Sequence, residues 1–411
     1  MKYIDFGSMK YNFLVKNLFY FGLSFFLVIL VAYWVPITIG LPGVGSFYYN
    51  ANLFEQISPR AFVGTIANLF SLDLKSYILV FQLIQLMWLA LLLKNLQTGG
   101  DVLENQKTPY VSILLVGVFF AFSQVTFTNN IGGFVDIAAQ LMVLSSAVLL
   151  FGTNQQSLSW QLFLAIGCAC VAMLVHEKNI FEILILGIWL LWKTDIKRAS
   201  FFLVPVGLFS AVFYLLTQDA ESAYDSHQGY FDILNNMVLF ITESSFNMYG
   251  VYLAGGMLWV LLAINVYLFV RMSNDIRQRR IRLFIALSLV IACFLPLLIA
   301  HDTTRLVGLI WLPLFLLIRE TGFVSLVGQS QKRLVLTFVL CFVHVLVTPP
   351  MFIYEHKAFA SNCYAEFVLT KVLEPIGASL GGIHPSLSLQ VIERRDHTKG
   401  NECWPLKPYR W

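Results

Sequence analysis

This sequence carries little charge for its length. Only 12% of its 411 residues are Asp, Glu, Lys or Arg, about half of the roughly 25% found in ordinary soluble domains. Hydrophobic residues make up 58%, and apolar runs near the roughly 20 residues needed to cross a hydrocarbon core recur along the chain. This composition excludes an ordinary soluble domain and predicts a helical integral membrane protein.

The sequence also lacks the short motifs that hold common cofactors. It has no closely spaced His and Cys set of zinc type, no Walker loop, no G-x-S-x-G elbow and no dinucleotide fingerprint. The net charge of +4 is small, and basic cytoplasmic loops account for it. We therefore expect no metal, no cofactor and no nucleic-acid partner.

Apolar segments predict an all-α bundle of about eleven transmembrane helices. They cover residues 14–36, 76–95, 109–126, 131–151, 159–176, 178–193, 200–217, 249–271, 283–300, 306–319 and 333–350. Two further segments, 58–72 and 229–241, show an amphipathic pattern typical of helices in the membrane interface. In the first of these, Phe62, Ile66 and Leu69 share one stripe.

Basic residues are distributed unevenly between alternate loops. One set of loops holds sixteen Lys and Arg residues, and the opposite set before the C-terminal tail holds four. Because loops rich in Lys and Arg stay cytoplasmic, we expect a cytoplasmic N-terminus in a bacterial inner membrane. The transmembrane domain 1–350 then has outer segments at 37–75 and 218–248, and the tail 351–411 is periplasmic.

The six cysteines fall into two groups. Four lie in predicted helices, where we expect buried apolar thiols, namely Cys168, Cys170, Cys293 and Cys341. Cys363 and Cys403 lie in the tail, where either a periplasmic disulfide or two free thiols fit the sequence.

Three ionisable residues precede the predicted helix that starts near Leu306. In helical geometry His301 and Arg305 are four residues apart and Asp302 and Arg305 three apart, so all three can address one pocket. Ionisable groups at such helix ends tend to mark substrate paths. The alternative is an Asp302–Arg305 pair that neutralises itself at the membrane surface, with Asp302 as the helix cap.

A second outer group lies in the sequence "VHEKN". Lys178 and Glu182 are four residues apart and can satisfy each other, whereas Glu177 points about 100° away and has no obvious local partner. Glu177 is therefore the more interesting carboxylate. His176 beside it is either part of the same site or an interfacial residue.

A third outer group follows "NNIGG". Asp136 and Gln140 share a helix face, and a carboxylate at that depth is costly unless it is paired or hydrated. Asn130 belongs to a polar rim before this helix. A helix-capping and turn-forming role explains these residues equally well.

The "HE" at the outer end of one helix (His176, Glu177) and the "D-x-x-R" before a later one (Asp302, Arg305) resemble pairings in bacterial polytopic polysaccharide polymerases. The bundle architecture is similar to these enzymes and to the C-type membrane glycosyltransferases. The latter carry an acidic motif in the first outer loop, where this sequence offers only Glu55. The polymerase side of the resemblance is therefore favoured.

The resemblance implies an enzyme that uses polyprenyl phosphate or diphosphate sugar donors outside the inner membrane to build O-antigen or exopolysaccharide. Such transfer needs a carboxylate to deprotonate the acceptor and cations for the departing phosphate. The catalytic candidates are the carboxylates Glu177, Asp136 and Asp302. The substrate-binding candidates are Arg305, His301, His176 and Asn130.

The implied partners are the polyprenyl-linked glycan, membrane lipids and glycan-assembly proteins. The main alternative is a transporter or flippase for lipid-linked glycan or solute. A membrane acyltransferase with His176 or His301 as base, and a structural assembly subunit, are further alternatives.

Overall fold

A computed structural model of the chain describes residues 6–34, 61–96, 109–132, 136–152, 160–176, 178–194, 196–217, 251, 255–298, 308–348, 351–354 and 357–360. Its helices are α1 (Phe6–Trp34), α2 (Ala61–Leu69), α3 (Leu74–Asn95), α4 (Pro109–Ala121), α5 (Gln124–Gly132), α6 (Asp136–Gly152), α7 (Trp160–Val175), α8 (Asn179–Lys193), α9 (Ile196–Thr217), α10 (Leu258–Arg271), α11 (Ile276–Ala292), α12 (Trp311–Thr321), α13 (Phe323–Gly328) and α14 (Gln331–Val347). Short 3-10 turns cover Leu295–Leu298 and Gly308–Ile310. One antiparallel hairpin pairs β1 (Met351–Tyr354) with β2 (Lys357–Ala360).

A helix overlaps each predicted apolar segment, but the bounds differ: the segment 283–300 is helical only to Ala292, in a helix that begins at Ile276. The segment 109–126 forms two helices, α4 and α5, that are separated at Phe122 and Ser123. Ser123 Oγ donates to the Phe120 carbonyl over 2.7 Å, and Thr126 Oγ1 donates to the Ser123 carbonyl over 2.9 Å. Hydrogen bonds from Ser and Thr side chains to backbone carbonyls compete with the backbone hydrogen bonds of a helix. This competition explains why the helix is interrupted between α4 and α5.

Three helical stretches are long and apolar enough to cross a membrane: Asn17–Trp34, Ser76–Asn95 and Ile196–Phe213. The outer surface of the bundle is also apolar. Phe25 on α1, Leu208 on α9 and Phe342 on α14 are each more than half exposed. Exposed apolar surface on this scale marks a membrane or protein contact and indicates association with a membrane.

Helix α12 lies at the centre of the described bundle. Every side chain from Trp311 to Ile318 is buried, as expected of a helix that is apolar on all sides. It contacts α8, α10 and α11. Trp311 at its first turn packs edge-on against Trp88 of α3, with ring centroids 5.4 Å apart.

The predicted amphipathic segment 58–72 contains the short helix α2. Its small residues Ala61, Gly64 and Ala67 are buried, whereas Ile66 and Leu69 are exposed. The apolar stripe of α2 therefore points largely away from the protein core, a placement that suits a helix in the membrane interface. The segment 229–241, the tail beyond Ala360 and its two cysteines lie outside the described residues.

Two of the four helical cysteines match their predicted burial fully. Cys293 and Cys341 are buried, and Cys168 and Cys170 on α7 are partly exposed. The latter pair lies on a helix whose neighbouring residues Phe163 and Leu164 are themselves exposed and apolar. Partial exposure on such a surface leaves the thiols in apolar surroundings.

Candidate functional site

A cluster of buried polar side chains lies where α6, α8 and α12 begin. The helices bring their first residues together from three separate parts of the chain. We call it the Asp136 cluster; its members are Asp136, Gln140, His176, Lys178, Asn179, Glu182 and Trp311, all at most 4% exposed. Polar side chains buried this deeply need partners, because an unpaired group loses its hydration without compensation.

The centre of the cluster is a buried ion pair. Lys178 Nζ contacts Asp136 Oδ1, and His176 Nε2 lies 3.6 Å from the same oxygen. The side chains of Asp136 and Lys178 are each 4% exposed, so solvent screens their interaction little. The close contact of a buried carboxylate with a buried ammonium offsets part of the cost of taking both charges out of water.

The sequence pattern pointed to a different partner for Lys178. Spacing within one helix indicated Glu182, but α8 begins only at Asn179, and Lys178 contacts Asp136 of the neighbouring helix. Glu182 instead accepts a hydrogen bond of 2.9 Å from Trp311 Nε1. Lys178 and Glu182 also interact electrostatically, as their spacing predicts, and the packed helices add the contacts with Asp136 and Trp311.

Hydrogen bonds connect the ion pair to the central helix α12. Trp311 Nε1 also donates to Gln140 Oε1 over 2.6 Å, and Gln140 Nε2 donates to Asn179 Oδ1 over 3.5 Å. Asn179 Nδ2 donates to the His176 carbonyl over 2.6 Å and to the Ala172 carbonyl over 2.9 Å. These bonds fix the α7–α8 connection, and with it His176 and Lys178, against α6 and α12.

A small cavity opens beside the ion pair. Its walls include Gln124 at the start of α5, Asp136, Gln140, Lys178 and Gly308. Its volume of about 10 Å³ corresponds to room for one water molecule. The cavity places a polar, water-sized space next to a buried carboxylate and ammonium.

Helix α5 adds a second buried polar contact near the cluster. Asn129 Nδ2 donates to Gln85 Oε1 of α3 over 2.5 Å. Asn130, a predicted rim residue, is buried on the same helix, six residues beyond the cavity residue Gln124. Asn130 is therefore a buried helical residue, where the sequence predicted a polar rim.

The sequence-predicted candidates divide into two groups in the structure. Asp136 and His176 come together at the ion pair. Glu177, His301, Asp302 and Arg305 lie outside the described residues.

Trp311 has no role that the sequence predicts, and the only side-chain partner predicted for Lys178 is Glu182. Trp311 is 171 residues from Gln140 and 129 from Glu182 along the chain. No local pattern reports such contacts.

The arrangement offers a carboxylate, an imidazole and an ammonium beside a cavity of water size. A carboxylate within hydrogen-bond reach of a substrate hydroxyl acts as a general base, and a lysine ammonium stabilises developing negative charge on a departing oxygen. Within the described ranges, no group of three or more His, Cys, Asp or Glu side chains is placed to hold a metal ion.

Comparison of the chain with known protein families, curated proteins and solved structures finds no match. The residues themselves and the geometry of the Asp136 cluster are therefore the basis for a functional assignment.

Proposed function

We propose that this protein is a multi-pass inner-membrane glycosyltransferase of the polysaccharide polymerase type. It extends an envelope glycan, O-antigen or exopolysaccharide, at the periplasmic face from a sugar donor linked to polyprenyl phosphate or diphosphate. The observation that supports it is the buried Asp136, in contact with Lys178 and near His176 at the end of the bundle predicted to face outward.

The proposed topology has about eleven membrane crossings with the N-terminus in the cytoplasm. The three long apolar helices support membrane crossing directly. The shorter ones are packed between neighbours, and the exposed surface of the bundle is apolar. In this topology the outer end of the bundle is where α6, α8 and α12 begin.

The reaction requires a base and a cation, and the cluster holds both. The bond between the donor sugar C1 and the phosphate oxygen breaks while the acceptor oxygen bonds to C1. The acceptor proton passes to a carboxylate, Asp136 or Glu177, and the phosphate leaves with the electron pair. Lys178 and Arg305 are the cations assigned to the phosphate charge, because such charge is stabilised most strongly where water is excluded.

The remaining candidates are close in sequence to residues of the cluster and its cavity. Glu177 lies between His176 and Lys178, two buried members of the cluster. Arg305 precedes the cavity residue Gly308 by three residues, which limits the distance between their Cα atoms to about 11 Å. We assign Asp302 and His301, which precede Arg305 in the sequence, to positioning the sugar donor or the acceptor.

A gene deletion with complementation tests the proposal. The deleted strain is restored with wild type, Asp136→Asn or Arg305→Ala, and surface glycans are separated on a gel beside a membrane-expression control. We expect long glycan with wild type and its loss with both variants. Asp275→Asn is a matched control, since it removes one exposed carboxylate at the cap of α11 and keeps a capping side chain.

A normal glycan ladder in the deleted strain would contradict the polymerase proposal. Long glycan with a well-expressed Asp136→Asn protein would remove Asp136 from the proposed site. Since the asparagine keeps the size of the side chain, loss of glycan at normal expression points to the missing carboxylate charge and not to missing bulk.

Transport of a lipid-linked glycan is the second candidate, and the interrupted helices favour it. Gln124, the first residue after the break between α4 and α5, lines the Asp136 cavity, and so does the 3-10 turn at Gly308. Discontinuous helices beside buried polar groups are typical of transporter substrate sites. In this case the deleted strain accumulates precursor on the cytoplasmic side, whereas loss of a polymerase leaves it exposed on the periplasmic side.

A further inference from the structure

Glu182 is a carboxyl group in the interior of the bundle that the proposed transfer reaction does not use. It lies in the first turn of α8 and is 0% exposed. A carboxylate that is sealed from water is costly in its ionised form unless an ammonium or several hydrogen-bond donors compensate for the lost hydration. The contacts of Glu182 therefore decide which of its two forms the fold stabilises.

Hydrogen bonds reach only one of the two oxygens of this carboxyl group. Oε1 of Glu182 accepts a bond of 2.9 Å from Trp311 Nε1, and the same N–H is shared with Gln140 Oε1 at 2.6 Å. Oε2 of Glu182 is buried and has no hydrogen-bond partner in the part of the chain that the structure describes. One shared N–H is fewer than the two or three donors that stabilise a charged carboxylate well.

Two other carboxyl groups show what Glu182 lacks. Asp136 Oδ1 contacts Lys178 Nζ, and both oxygens of Glu320 lie 2.6 Å from Lys193 Nζ. Lys178 also interacts electrostatically with Glu182, but its ammonium contacts Asp136. Among the described residues, Glu182 therefore has no ammonium in direct contact, although it is more deeply buried than the other two carboxyl groups.

The titratable side chains that interact with Glu182 come from three neighbouring parts of the chain. Lys178 lies in the connection before α8, Asp136 on α6, and Cys293 directly after α11. The described parts of α7, α9 and α12 add no further charged group that interacts with it. An ionised Glu182 would place a second negative charge near Asp136, and like charges in a buried site disfavour the charged form.

We propose that Glu182 is a proton-binding site and is held as the neutral carboxylic acid, with the proton on Oε2. The neutral acid removes the charge that burial penalises, and its carbonyl oxygen Oε1 still accepts the Trp311 N–H. A proton needs no cavity of its own, and Glu182 is not part of the wall of the Asp136 cavity. Ionisable residues inside membrane bundles mark proton relays, and this site does not depend on the proposed glycan transfer.

Infrared spectroscopy of the full chain in lipid membranes detects this proton, because a protonated carboxyl group has a carbonyl stretching band that a carboxylate lacks. The spectrum is recorded at neutral pH, where a glutamate in water, with an ordinary pKa of about 4.3, is ionised. We expect the wild type to show the band and Glu182→Gln to lose it. The glutamine is neutral like the acid, has a similar size and keeps an oxygen for Trp311.

Glu320→Gln is the matched control for this measurement. It is the same substitution at a carboxyl group whose two oxygens both contact Lys193, so Glu320 is already ionised and contributes no acid band. We expect Glu320→Gln to keep the band at the wild-type intensity. Loss of the band in Glu182→Gln alone then assigns the proton to Glu182.

A wild-type spectrum without the band, or the same band in wild type and Glu182→Gln, overturns the proposal. If Glu182→Gln does not purify as a folded protein, glutamate labelled with a heavy carbon isotope replaces it. The label should move the band to lower frequency both in wild type and in Glu177→Gln. A band that the label does not move, or that Glu177→Gln removes, belongs to another carboxyl group and also overturns the proposal.

Discussion

Replacing Lys178 by methionine removes the cation that contacts Asp136. The Asp136 side chain, which is only 4% exposed, then lacks this ammonium partner. Breaking one side of such a buried pair costs about 3–5 kcal/mol of unfolding free energy. Asp136→Asn removes the carboxylate that contacts the Lys178 ammonium and has a cost in the same range. The double variant Asp136→Asn/Lys178→Met carries neither charge. We therefore expect its free energy of unfolding to lie within about 2 kcal/mol of the wild-type value.

The assay is equilibrium unfolding in mixed micelles, followed by circular dichroism, for wild type, both single variants and the double variant. The two single losses minus the double loss give the coupling energy, which we expect to be at least about 3 kcal/mol. Lys193→Met and Glu320→Gln form a matched control cycle. Their pair is 39% and 17% exposed, and its coupling should stay below about 1 kcal/mol.

Additive losses at Asp136 and Lys178, with coupling below about 0.5 kcal/mol, would refute the ion pair. The same double variant also separates structure from function in the complemented strain. If the pair only stabilises the fold, the double variant restores both stability and long glycan. If Asp136 takes part in transfer, stability returns and the glycan does not.

Two further pairs of variants test the packing around the cluster and the end of α14. Both Gly256 and Gly322 have positive φ, but only a Cβ on Gly256 would collide with Thr348. We therefore expect Gly256→Ala to lower the free energy of unfolding by at least about 2 kcal/mol and Gly322→Ala by about 1–2 kcal/mol. Equal unfolding midpoints for the two variants would contradict the contact with Thr348. Trp311→Phe should destabilise the protein by about 1–3 kcal/mol more than Trp88→Phe. Both indoles are fully buried, but the single N–H of Trp311 is shared between Gln140 and Glu182, whereas the described residues offer Trp88 Nε1 no partner. Equal losses of stability in chemical unfolding would show that the Trp311 N–H contributes nothing.

The positions of the helices follow from the sequence because apolar run length is a local property. The segment 76–95 matches α3, which begins at Leu74 after the capping side chain of Asp73. The break between α4 and α5 was missed, since it depends on side-chain hydrogen bonds of Ser123 and Thr126 that interrupt an otherwise apolar run. Hydrophobicity alone does not register such a break.

The candidate site was only partly visible in the sequence. Helical spacing correctly placed Asp136 and Gln140 on one face, and both line the same cavity. The contact between Asp136 and Lys178 joins two separate parts of the chain. Helical spacing predicts only Glu182 as a partner of Lys178 and gives no sign of Asp136. Contacts between helices depend on how the helices pack. The spacing of residues along one helix does not predict that packing.

A cavity formed where α6, α8 and α12 end illustrates the same point at the other end of the bundle. In the sequence Lys193, Arg198 and Arg319 are separate basic residues that predict the orientation of the chain. Packing of α8, α9 and α12 converts these separate charges into one cavity wall. Charges far apart in the sequence are therefore brought to one place only when the helices that carry them pack.

Glycan lengthening by the purified protein tests the central proposal most directly. The full chain is reconstituted in liposomes with lipid-linked glycan extracted from the deleted strain, and product length is measured on a gel over time. We expect the wild type to convert precursor into longer chains and Asp136→Asn to leave it unchanged, with Asp275→Asn behaving as wild type. Movement of the precursor across the bilayer without lengthening would contradict glycan transfer and identify the protein as a transporter.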